Sequence, residues 1–114
     1  MPDDRADEVT ALVEQLDVLL TEYARSRKLV TYSDLGERLS PVKHAQSSRM
    51  HAALSELMYI DARAKRGLRS ALVVRSGDRR PGPGFFVTAK LVGRTLGVER
   101  SFASAEQERV FGEW

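Results

Sequence analysis

The sequence predicts a mainly α fold with a small β component, organised as a single domain over residues 1–114. Three observations carry that expectation. Apolar residues recur at helical spacing along two long stretches, residues 9–23 and 50–64. The run Ser70–Arg75, which holds Val73-Val74, is the best strand signal in the chain. Glycine and proline then gather into turn-rich segments between the periodic ones. A chain of 114 residues suffices for one hydrophobic core and is too short for two. Its parts read as an N-terminal amphipathic helix (1–28), a central unit (29–84) and C-terminal helices (85–114).

Val9, Leu12, Leu16, Leu19 and Tyr23 alternate at three- and four-residue steps, which places them on one face of a helix from Asp4 to about Lys28. Asp3, Asp4, Asp7 and Glu8 lie at the positive end of its dipole, and Arg25, Arg27 and Lys28 at the negative end. The same spacing suits a coiled-coil dimer, but it spans few heptads and reads first as core. Leu29-Val30-Thr31-Tyr32 is a short extended piece. Ser33 is the expected cap of a compact helix from Asp34 to Leu39, ended by Ser40-Pro41. After a loop, Val42–Gln46, a second long helix is expected from Ser47 to Lys65. Its apolar arc holds Met50, Ala53, Leu54, Leu57, Met58, Ile60 and Ala64, and Asp61 falls on that arc, where a nearby arginine is its natural partner. Gly67 is the expected stop.

The strand Ser70–Arg75 leads into the turn-rich loop Ser76–Gly84 with its two Pro-Gly pairs. Phe85, Phe86, Ala89, Val92 and Leu96 predict a helix ending at Gly97. Ser104 with Gln107 predicts a capping box for a last helix, packed down by Val110, Phe111 and Trp114. Two helices separated by a turn, then a strand and a basic loop, make a winged helix-turn-helix-like order.

The net charge of +2 hides an uneven distribution. From Tyr23 to Arg94 there are 15 Lys/Arg against 5 Asp/Glu, a surplus of +10, while the remaining segments hold 3 Arg against 11 Asp/Glu. A basic middle with acidic ends suits a polyanionic partner. In a helix-turn-helix, the start of the second helix enters the major groove. Lys43, Gln46, Ser47, Ser48 and Arg49 occupy that place. Short hydroxyls and helix-start amides suit phosphate, and Gln46 and Arg49 suit base edges. Lys65, Arg66, Arg69, Arg75, Arg79 and Arg80 follow within sixteen positions and would hold the backbone as a wing.

The segment Val30-Thr31-Tyr32-Ser33-Asp34-Leu35, followed by Ser47-Ser48-Arg49-Met50-His51-Ala52-Ala53-Leu54, resembles the DNA-binding module of alkylguanine alkyltransferases and alkyltransferase-like proteins over about half the chain. In that family a Thr-Tyr-Gly segment opens the first helix of the motif. A small-small-Arg segment opens the second, and its arginine replaces a flipped base in the DNA stack. The resemblance implies that Arg49 is that finger and that Tyr32 and Ser48 lie near the DNA backbone. The family's Pro-Cys-His-Arg segment falls on Ala71-Leu72-Val73-Val74-Arg75, which holds no nucleophile, so alkyl transfer is excluded. Ser70–Val74 and Pro81–Phe86 also resemble segments of small uncharacterised bacterial and phage proteins, which implies no activity.

The absence of cysteine excludes a thiol nucleophile, a disulfide framework and a Cys-based zinc site. His44 and His51 lack metal-ligand spacing, so no metal is expected. Gly82-Pro83-Gly84 is a turn, since proline removes the amide a phosphate cradle uses. No catalytic residue and no cofactor is assigned. The acidic start, Met1-Pro2-Asp3-Asp4, predicts no signal peptide, and no apolar run is long enough to span a membrane, so a cytoplasmic protein is expected. The resulting expectation is a non-enzymatic DNA-binding protein, with duplex favoured over single strands. The alternative is a protein-interaction module or homodimer that uses the N-terminal helix or the C-terminal aromatics.

Overall fold

The computed structural model describes residues 4–39 and 48–114, the first four of them by backbone alone. The mainly α expectation with a small β component holds. The chain runs α1 (Asp4–Arg25), β1 (Val30–Thr31), α2 (Tyr32–Arg38), α3 (Ser48–Arg63), a 3-10 turn (Arg69–Leu72), β2 (Val73–Val74), α4 (Pro83–Leu91) and α5 (Glu99–Glu113). The strands pair in parallel, Val30 with Val73 and Thr31 with Val74. Among the described residues no helix is long and apolar enough to cross a membrane.

α1 buries Leu12, Leu16 and Leu20, four residues apart, against Met50, Ala53, Leu54 and Leu57 of α3. Full burial of each leucine contributes about 1.5–3 kcal/mol. Leu35 of α2 and Leu39, just past its end, close the same core. A second cluster joins Met58, Leu68 and Ala71 to Phe85, Phe86 and Ala89 of α4 and to Ala103 of α5. Val110 of α5 meets Ala24 and Leu72 between the two clusters.

Several boundaries differ from expectation, each for a local reason. Thr31, not Ser33, caps α2, its Oγ1 accepting from the Asp34 N–H at 3.1 Å. α3 ends at Arg63 and the chain turns away at Lys65, which adopts φ 58° while the Arg66 N–H reaches back to the Asp61 carbonyl at 3.1 Å. Arg27 ends α1 in the same way, with φ 54° and Lys28 N–H on the Tyr23 carbonyl. Gly67 serves packing instead of termination: a Cβ there would stand 2.9 Å from Val110 Cγ2. Gly93, at φ 95°, ends α4 before the expected Gly97. α5 begins at Glu99, so Ser104 is an interior helical residue and no capping box forms. Ile60 and Ala64 are exposed, leaving the apolar arc of α3 narrower than predicted.

The largest difference is the expected strand Ser70–Arg75. Only Val73-Val74 is extended, because Gly67–Leu72 threads through the middle of the fold and bonds to side chains instead of a sheet. α5 supplies Glu113 for the Gly67 N–H, Glu106 for the Leu68 N–H at 3.0 Å and Gln107 for the Ala71 carbonyl at 3.0 Å. α3 supplies Asp61 for the Arg69 N–H at 3.0 Å, and Ser70 Oγ donates to the Leu54 carbonyl at 2.9 Å. Buried backbone polar groups must find such partners.

Arg69 is 1% exposed and Asp61 is fully buried. Arg69 donates Nε and one terminal nitrogen to the Asp61 carboxylate. Its other terminal nitrogen goes to Asp17 and, at 2.9 Å, to Thr21 on α1. Arg66 adds a 2.8 Å bond to Asp61, and the Trp114 ring lies over both guanidiniums at 5.2 and 5.1 Å. Removing one partner of a buried pair leaves the other charge uncompensated. Asp61→Asn is therefore expected to lower unfolding stability by about 3–5 kcal/mol in denaturant titrations. A loss under about 1 kcal/mol would contradict this, since exposed pairs contribute that little.

Candidate nucleic-acid interface

Tyr32, first residue of α2, stands where three chain segments meet. Its ring is buried beneath the loop that follows β2, and its Oη accepts from the Gly82 N–H at 2.8 Å. The exposed His51 ring lies against it, centroids 5.5 Å apart. Burial pushes the Tyr32 phenol above its usual range, outweighing the Gly82 hydrogen bond and the nearby Arg75 charge. A cleft of about 40 Å³ beside it, bounded by His51, Ser55, Ser70, Gly84 and Phe85, has room for a water molecule and not for a substrate.

The loop from Arg75 to Arg80 is closed by its own backbone. The Arg75 N–H donates to the Arg80 carbonyl at 2.8 Å, and the Arg79 N–H to the Arg75 carbonyl at 3.0 Å. Asp78 organises the side chains: its carboxylate takes Arg75 Nε at 3.2 Å and the Arg80 N–H at 3.1 Å, with Arg80 Nε at 3.8 Å. The Arg75 hydrogen bond, foremost among these contacts, holds the Asp78 carboxyl below the usual carboxylate range. Arg79 takes the left-handed φ of 58° at the tip and makes no ion pair among the described residues.

The residues singled out from the sequence fall into four groups. Lys43, Gln46 and Ser47 lie outside the described residues. Ser48 is exposed at the start of α3, while Arg49 turns toward α1 and pairs with Glu8. Arg75, Arg79 and Arg80 are exposed on the loop, and the Arg75 charge lies close enough to act on Tyr32. Arg69 corrects the expectation, and Arg66 is half-engaged. Arg69 is enclosed by the core and meets no solvent-facing ligand, and Arg66 is tied to Asp61 under Trp114. Tyr32 is likewise buried, joined to Gly82 by its hydroxyl and to His51 by its ring.

The sequence alone does not mark His51, Asp78 or Glu8 as parts of this region. The Arg75–Asp78 spacing of a tight turn is the one legible signal among them. Among the described residues no cluster of His, Asp and Glu could hold a metal ion.

Tyr32→Phe strands the buried Gly82 N–H and is expected to cost about 1–3 kcal/mol. The raised phenol also sets a pH dependence. Its contribution is complete below the ordinary tyrosine value of about 10 and is lost as pH rises through the higher folded value. Denaturant titrations between neutral and alkaline pH should show that decline in the wild type and a shallower one in Tyr32→Phe. Equal slopes in both proteins would contradict it. No protein-family model matches this chain, and no curated protein or solved structure matches it.

Proposed function

We propose that this chain is a non-enzymatic DNA-binding domain, winged helix-turn-helix-like in plan, whose contact surface is the start of α3 together with the Arg75–Arg80 loop. One observation carries the reading: His51 at the first turns of α3 and the loop closed at Gly82 are joined through Tyr32. A helix start and a basic loop on one side of a domain are the two parts such a surface needs. The likeness to the alkyltransferase-like module supports the same plan, with α2 and α3 as its helix pair and the arginine loop in the place of a wing. Duplex is the favoured partner, because a helix start with small neighbours, Ser48 and Ala52, suits a groove.

Arg49 enters this reading with a condition. Its pairing with Glu8 competes with any phosphate or base it would contact. Glu8→Gln releases it, and tighter binding by that variant is expected. A protein-interaction role rests on a different observation, the 59% exposed Val18 on the outer face of α1.

Fluorescence-anisotropy titration of a labelled random duplex at about 50 and 200 mM salt tests the proposal. Affinity is expected to fall by orders of magnitude between the two. Arg79→Ala with Arg80→Ala should reduce the slope of log K against log salt by about two, one per lost phosphate contact. Absence of binding at the lower salt, or an unchanged slope in the double variant, would sink the proposal.

A further inference from the structure

The loop after β2 turns over residues 76–79, closed by the Arg75 N–H on the Arg80 carbonyl at 2.8 Å and the Arg79 N–H on the Arg75 carbonyl at 3.0 Å. The last residue of the turn, Arg79, takes φ 58°. Glycine is the natural occupant of such a position, because a Cβ in the left-handed region crowds the following carbonyl oxygen. Arginine stands there instead. Glycine stands two residues earlier, at Gly77, where φ lies outside the left-handed region and an added Cβ would meet nothing within 4 Å. The two residues are placed the wrong way round for the stability of their own loop.

The other left-handed residues that are not glycine, Arg27 and Lys65, have local compensation. Each follows a helix, where the turn lets the next N–H reach back to a helix carbonyl, Lys28 to Tyr23 and Arg66 to Asp61. Each is also a cation at the negative end of a helix dipole. The Arg27 guanidinium further lies 5.2 Å over the Phe111 ring and 3.4 Å from Glu108. Arg79 follows no helix. Its side chain is exposed and, among the described residues, makes no hydrogen bond, ion pair or ring contact. Its neighbours differ from it: Asp78 takes Arg75 Nε at 3.2 Å and lies 3.8 Å from Arg80 Nε. Of the three arginines on the loop, Arg79 alone offers a free guanidinium, and it does so from a backbone held closed on both sides. Local rules of this kind are broken mainly where function requires it. A guanidinium fork matches the paired oxygens of a phosphate.

We propose that Arg79 is the anchoring residue of the nucleic-acid surface, held in a strained conformation because that position carries its guanidinium to one phosphate of the duplex backbone. The inference rests on the DNA-binding reading. It adds that the place of this charge, and not the charge count of the loop, decides the contact.

The test exchanges the two residues. Gly77→Arg with Arg79→Gly leaves the net charge and the composition of the unfolded chain unchanged, so a stability difference reports the folded loop. Its thermal midpoint is expected to rise by about 3–6 °C as the left-handed arginine is relieved. Its affinity for a labelled random duplex at about 50 mM salt should fall about tenfold, with a slope of log K against log salt lower by about one. Arg79→Ala keeps a Cβ at the strained position and removes the charge, so it should bind as weakly with an unchanged midpoint. Two results overturn the inference while the DNA-binding reading stands. An exchanged loop that binds as well as the wild type would mean that charge count alone suffices. An exchanged loop no more stable than the wild type would mean that arginine at position 79 serves the fold. A wild type that binds no duplex at the lower salt removes the DNA-binding reading and the anchoring role together.

Discussion

Arg69 holds a full positive charge in the interior, and the arrangement of the surrounding helices follows from how that charge is met. Asp61 on α3 takes its Nε and one terminal nitrogen, while Asp17 and Thr21 on α1 take the other. One guanidinium thereby fixes the position of α1 relative to α3 and to the segment between them. Trp114 covers the cluster and ties the end of the chain to it. A buried pair of this kind is a weak source of net stability against an apolar substitute. Its geometry is demanding, however, because every donor must find its acceptor at once.

That geometry explains why a threaded segment can lie where a strand or helix would be expected. Between α3 and β2 the backbone has no ladder to join, so its polar groups are met by side chains. α5 is placed to meet them. Glu106, Gln107 and Glu113 all point at residues 67–71, and Arg109 and Arg94 reach the carbonyls of Lys65 and Arg66 at 3.0 Å. The polar character of α5 is therefore not a mark of a solvated helix. Part of its acidic and basic content is spent on the backbone of its neighbour.

The same accounting changes the meaning of the basic centre. Arg66, Arg69 and Arg94 are engaged inside the fold, and Asp78 moderates Arg75 and Arg80. Positive surplus in a linear count thus overstates what the surface presents. What remains is more local: the loop tip at Arg79, its two clasped neighbours, and the start of α3 around Ser48. Tyr32 links the chain after this loop, at Gly82, to α3, at His51.

The sequence by itself determined the elements whose cause is periodic or nearest-neighbour. The leucine rows of α1, the inward face of α2 and most of the apolar arc of α3 are legible because burial on one side imposes a spacing. The Asp61 position announced itself in the same way, as a carboxylate on an apolar arc that needed an arginine. Which arginine answered was beyond the sequence. Arg66 and Arg69 are both near in the chain, and only the packing of α1 and Trp114 encloses Arg69. Helix termini depart from expectation where two neighbouring residues can each serve, Thr31 or Ser33 as cap, Lys65 or Gly67 as turn. The strand at Ser70–Arg75 was misread because its apolar residues report burial, and burial is silent about whether backbone partners are strands or side chains. Nor could the chain alone say that Arg69 faces the core and Arg79 the solvent. Both are arginines in one basic run, and the difference between them is decided by desolvation, which exists only once the helices have closed around one and not the other.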